Sequence, residues 1–154
     1  MSPRHRTAAT RLDAFALARD HGVLEGRVDA RELDRVRDVL ADGPADVAWR
    51  IEGGTDDAGR PALSIALTGA VPLTCQRCLD EFDWPLEYRS AVLLAQSPQE
   101  LEALDDLSGA EVVLAGAPID PLALVEDELV LALPFAPRHP DGACGGNWQP
   151  LRSP

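Results

Sequence analysis

Apolar and polar positions alternate through the middle of the chain. Val47, Trp49 and Ile51 alternate with Ala48 and Arg50, which predicts a strand. Leu63, Ile65 and Leu67 share one face of the next, and Val71, Leu73 and Cys75 continue the series. Trp84, Leu86, Tyr88, Val92 and Leu94 then fall on even positions, with Glu87 and Arg89 pointing the other way, as in a half-buried antiparallel strand. Gly53 to Gly59 reads as a turn or mobile loop. Upstream, Gly22 to Val28 reads as a first strand, preceded by a short apolar stretch at Leu12, Phe15 and Leu17.

Helical spacing marks two main helices. Asp29 opens the first, with a carboxylate at the cap and Glu32 three residues later in a capping-box arrangement. Leu33, Val36, Val39 and Leu40 follow at helical spacing, and Asp42-Gly43-Pro44 ends the run. Asp120-Pro121 opens the second, with proline at the first position; Leu122, Val125 and Leu129 line one face, and Pro134 stops it. Between them, Ser97-Pro98 with Glu100 marks a short helix start, and Glu111 to Ala115 one more strand. The expected fold class is α+β: an antiparallel sheet curved towards a barrel, two main helices against it, and a Cys/His-bearing end. The 154 residues suit a flexible basic N-terminus over 1–10, a single domain over 11–145 and a short tail over 146–154.

Charge sharpens this picture. All 14 basic residues are arginine. Residues 1–40 carry 8 Arg against 7 acids, whereas residues 41–154 carry 6 Arg against 19 acids. Between Pro98 and Glu128 there are nine acids and no arginine. Such a surface repels phosphate and attracts a strongly basic protein, unless it serves only as a solubilising face. No stretch reaches the roughly 18 apolar residues of a membrane span. Arg4, Arg6, Arg11 and Asp13 interrupt the first twenty residues, which lack the apolar core of a secretory signal, so the expected location is the cytoplasm.

Candidate chemistry rests on three cysteines. Cys75-Gln76-Arg77-Cys78 lets both sulfurs turn inward from one tight bend, and His139 with Cys144 could supply the other half of a tetrahedral Cys3His zinc site after a chain reversal. Arg77 and Arg138 lie beside these candidate ligands and could offset thiolate charge. Reduced buried thiols and a redox dithiol are the alternatives. Against the dithiol, Asp80, Glu81 and Asp83 crowd the downstream side and would raise a thiol pKa, and Pro85 cuts any helix short. The chain has no lysine, hence no lysine-bearing phosphate loop, and no Gly-x-Ser-x-Gly elbow. Asp105-Asp106 and Glu126-Asp127-Glu128 are expected to face water.

Two segments carry a family resemblance. One is Leu73-Thr74-Cys75-Gln76-Arg77-Cys78-Leu79 followed by Phe82. The other is the run Ile119 to Pro134, then Pro137, His139 and Cys144. Together they resemble the YceD family of large ribosomal RNA subunit accumulation proteins. The resemblance implies a bacterial, non-enzymatic ribosome-biogenesis factor supporting 23S rRNA accumulation, with no small-molecule substrate. The implied partner is a ribosomal RNA precursor or a basic large-subunit ribosomal protein, met through Arg77, Glu126, Asp127 and Glu128. Two other readings stand beside it. One is a zinc-binding RNA-binding module whose Arg77, Arg89, Arg138 and Arg152 converge; the other is a thiol redox enzyme.

Overall fold

A computed structural model describes residues 11–139 and Cys144. The expected N-terminal segment 1–10 and tail 146–154 lie outside the described residues. The first helix, α1 (Ala14–Asp20), is capped by the Asp13 carboxylate, which accepts from the Ala16 N–H at 3.1 Å. It closes on His21 in the left-handed region (φ 52°). Strand β1 (Val23–Asp29) follows, then a 3-10 turn (Ala30–Glu32) and a one-turn helix α2 (Asp34–Arg37). Strands β2 (Asp46–Thr55), β3 (Pro61–Thr74) and β4 (Glu81–Ala95) form a meander. Helix α3 (Pro98–Ser108), strand β5 (Glu111–Leu114) and helix α4 (Pro121–Ala132) complete it.

The sheet has five strands in sequence order, β1-β2-β3-β4-β5. The first three pairings are antiparallel and β4–β5 is parallel. A parallel pair requires a crossover, and α3 supplies it. The fold is thus α+β as expected, but the sheet is not closed into a barrel: β1 and β5 remain its edges.

One face of the sheet builds the core. Ile51, Ile65 and Ser90 lie opposite one another across β2, β3 and β4. Ile51, Leu63, Ile65, Leu67 and Val71 are fully buried on this face. Helices α1 and α4 cover it, joined at their N-terminal ends by a two-way bridge between Leu12 and Ile119 at 2.7 and 3.0 Å. The stretch expected as a loop from Gly53 stays in strand to Thr55, because Gly53 lies directly under α1. A Cβ there would sit 2.1 Å from the Leu17 carbonyl oxygen.

The helix expected from Asp29 divides instead. Leu33 is extended (φ −100°, ψ 114°) and separates the 3-10 turn from α2. Asp29 does cap, accepting from the Arg31 N–H at 3.0 Å. Besides its own short turns, the segment is tied at both ends to its neighbours: the Ala30 N–H donates to the Ala45 carbonyl, and that of Ala41 to the Pro72 carbonyl, both at 2.8 Å. Leu33 and Val36 still bury, but Val39 is exposed. The Ser97 start grows into an eleven-residue helix. There Ser97 Oγ accepts from the Glu100 N–H, and the Glu100 carboxylate accepts from the Gln96 N–H at 2.6 Å.

Candidate functional site

Strands β3 and β4 pair to their ends at Thr74 and Glu81, so the Cys-x-x-Cys segment forms the tip of a long hairpin. The tip is closed by the Leu79 N–H donating to the Cys75 carbonyl at 2.8 Å and the Cys75 N–H donating to the Asp80 carbonyl at 2.9 Å. Leu79 is left-handed (φ 69°), which folds the chain back into β4. Cys75 is buried and Cys78 half-buried. The segment after α4 docks onto this tip, with the Gln76 N–H donating to the Pro137 carbonyl at 2.8 Å. His139 stacks on Phe82, ring centroids 4.4 Å apart.

These contacts bring Cys75, Cys78, His139 and Cys144 together, with the four donor atoms all within 4.8 Å of one another. Cys75 Sγ and Cys144 Sγ are 3.7 Å apart, too far for a disulfide. His139 Nδ1 is 3.5 Å from both the Cys78 and the Cys144 sulfurs. Zinc bond lengths of about 2.3 Å to sulfur and 2.0–2.1 Å to nitrogen at a tetrahedral angle put two sulfurs about 3.8 Å apart, and sulfur and nitrogen about 3.6 Å apart. The observed spacings match both values, and three soft sulfurs with one imidazole are a structural-zinc donor set. The residues therefore fit the metal.

The electrostatics of the turn differ from the expectation drawn from its neighbouring acids. Burial raises the Cys75 thiol, but N–H groups of Cys78, His139 and Arg77, together with the His139 ring, outweigh it and bring the pKa down to about 5. The Arg77 N–H lies 3.4 Å from the sulfur. Cys144 moves the opposite way, to about 11, through burial and the nearby Cys78 and Cys75. Inward-pointing backbone donors at the sulfur outrank carboxylates that face water.

The acidic stretch of α4 is placed differently from expectation. Asp127 is exposed and Glu126 partly buried; both hold Arg35. The Glu126 carboxylate accepts from the Arg35 N–H at 2.7 Å, and the Arg35 guanidinium pairs with Asp127. Glu128 does not face water. It is fully buried, accepting from Ser90 Oγ at 2.5 Å and from the Tyr88 hydroxyl at 3.4 Å, while its Oε2 has no partner among the described residues. Burial and Glu128 raise the Tyr88 hydroxyl, and burial, Glu128 and Asp127 raise the Glu111 carboxyl. Sequence reasoning missed Ser90, Tyr88 and Arg35 as partners. Two hydroxyls on the otherwise apolar even face of β4 were the available signal, since a buried hydroxyl needs a partner.

The proposed arginine patch does not form among the described residues. Arg77 and Arg138 flank the cysteine cluster, but Arg89 lies opposite Ala66, eight residues along β4 from its start at Glu81. At 3.2–3.4 Å per residue that is about 27 Å from the tip. Arg152 lies outside the described residues.

Residues 63–152, more than half of the chain, match the family described as large ribosomal RNA subunit accumulation protein YceD, and the matched span holds all four donors. No solved structure matches the chain. No helix among the described residues is long and apolar enough to cross a membrane.

Proposed function

The chain belongs to the YceD family of large ribosomal RNA subunit accumulation proteins, and from that premise we propose that it supports 23S rRNA accumulation as a non-catalytic assembly factor. It does so by holding a basic large-subunit ribosomal protein. The family match carries this reading. The charge of −12 favours a basic protein over RNA as the direct partner.

Zinc bound by Cys75, Cys78, His139 and Cys144 has a structural role in this reading: four protein donors leave no position for a reacting water. The two sequence-distant halves, the β3–β4 tip and the segment after α4, become one rigid end. Asp127 and the Arg77 turn face the partner, while Glu128 holds α4 on the sheet.

Purified chain presented separately with RNA-free large-subunit ribosomal proteins and with 23S rRNA tests the partner class. Retention of one or more basic proteins and little RNA is expected. Retention of rRNA alone would favour the RNA-binding alternative, and no retention of either would remove the proposal.

A further inference from the structure

Strand β1 is one edge of the sheet and β5 the other. The β5 edge is only four residues long, which limits what it can recruit, whereas β1 has seven residues with neither proline nor bulge. The backbone of β1 divides by parity. The Gly53 N–H donates to the Gly22 carbonyl and the Ala30 N–H to the Ala45 carbonyl, and the register between those points is unbroken. Leu24, Gly26 and Val28 therefore exchange their hydrogen bonds with β2, and the N–H and C=O groups of Val23, Glu25, Arg27 and Asp29 point out of the sheet edge. None of these outward backbone groups has a partner among the described residues. Leu24, Gly26 and Val28 lie on the core face, where the Trp49 ring covers Gly26: a Cβ there would sit 2.8 Å from it. Glu25 and Arg27 lie on the other face, paired with Arg50 and Asp46.

We propose that β1 pairs antiparallel with β1 of a second copy, joining the two sheets across a two-fold axis at Gly26. Side chains choose both occupant and register. With core face continued into core face, the registers that pair most of the strand are centred on Glu25, Gly26 or Arg27. The first sets Glu25 against itself. The third sets Arg27 against itself and Glu25 against Asp29, and like charges directly opposite are destabilising. The register centred on Gly26 sets Glu25 against Arg27 on both sides of the axis and Leu24 against Val28 on the core face. It also turns the outward backbone groups of the two strands towards one another. The pairs already made within each chain are kept and extended into a row of Arg50, Glu25, Arg27 and Asp46, each beside a charge of opposite sign. Net charge of −12 does not decide the outcome at this edge, because salt screens charges beyond about 8 Å. A basic segment would lose at Arg27 what it gained at Glu25. With one strand supplying the contact, the dimer belongs to the weak, concentration-dependent class.

The test is sedimentation velocity of the full chain over a broad concentration range, for wild type, Glu25→Arg, Arg27→Glu and an equimolar mixture of the two variants. Wild type should pass from monomer to dimer as concentration rises. Each variant alone sets like charges opposite each other twice and should dimerise about tenfold more weakly. The mixture restores opposite signs at both positions and should recover the wild-type dimer. Both side chains are exposed, so thermal unfolding of the dilute variants near that of wild type serves as the folding control. Amide exchange should slow with concentration at Val23, Glu25, Arg27 and Asp29, while Leu24, Gly26 and Val28 exchange slowly throughout. A chain monomeric over the whole range would overturn the proposal, as would a dimer that neither variant weakens. A stronger dimer in Glu25→Arg would also overturn it, by showing that net charge rather than this register governs association. Slow exchange at the four outward amides that is independent of concentration and lost on removing residues 1–10 would assign the edge to the chain's own N-terminus instead.

Discussion

Cys78 gives its sulfur to the donor set from the half-buried side of the hairpin tip, so serine there removes one donor and leaves buried Cys75 in place. About one zinc per chain is expected in wild type purified without a metal-affinity tag, and none in Cys78→Ser, read by native mass spectrometry. The four candidate donors could be read from residue type and spacing; their mutual distances could not, because His139 is 61 residues from Cys78 and its position depends on the Pro137 and Phe82 contacts. Glu128 could not be told from the acids beside it on α4; the signal lay on β4, in the hydroxyls of Tyr88 and Ser90. Its burial makes Ser90 important: Ser90→Ala should cost about 2–3 kcal/mol in urea unfolding by stripping a buried carboxylate of its short hydrogen bond. Adding Glu128→Leu to that variant should recover part of the loss. At Glu111, burial and the nearby Glu128 and Asp127 raise the folded carboxyl above its ordinary 4.5. The stability it contributes is therefore present below that value and lost as pH rises through the shifted one. Glu111→Gln should stabilise at pH 7 by a few tenths of a kcal/mol and have no effect well below pH 4.5, measured by unfolding at both.

At the scale of elements, the strands followed the period-two pattern because β2, β3 and β4 bury one face and leave the other largely open, except at the end of β4, where Leu93 and Ala95 are buried too. The helices were harder. Leu12, Phe15 and Leu17 gave too short a pattern to announce α1, whose clearest mark lies elsewhere, in a glycine at position 53 that permits its close approach. Gly53→Ala should therefore destabilise the protein by about 3 kcal/mol, since the new methyl meets backbone that cannot swing aside. A helix-compatible pattern from Leu33 to Leu40 was overruled by backbone pairing with Ala45 and Pro72. The parallel placement of β5 could not follow from four residues of strand pattern; it follows from α3, whose start at Ser97 and Glu100 was marked in the sequence while its eleven-residue length was not.

For the molecule as a whole, the family was readable from the two ends of the donor set, whereas the open sheet was not, because closure depends on strand tilt and edge pairing rather than on pattern. Cys75 is buried but lies outside the contiguous core of Ile51, Leu63, Ile65 and Leu129. Chelator treatment should consequently loosen the tip and residues 134–139 while the far-UV signal of the sheet persists, with exchange protection lost only at that end. Support of 23S rRNA accumulation by this chain is expected to depend on this end. The direct measurement is the ratio of 23S to 16S rRNA in a deletion strain complemented with wild type or Cys78→Ser. The ratio should fall in the deletion, return with wild type and stay low with the variant; a ratio unchanged by the deletion would contradict the claim.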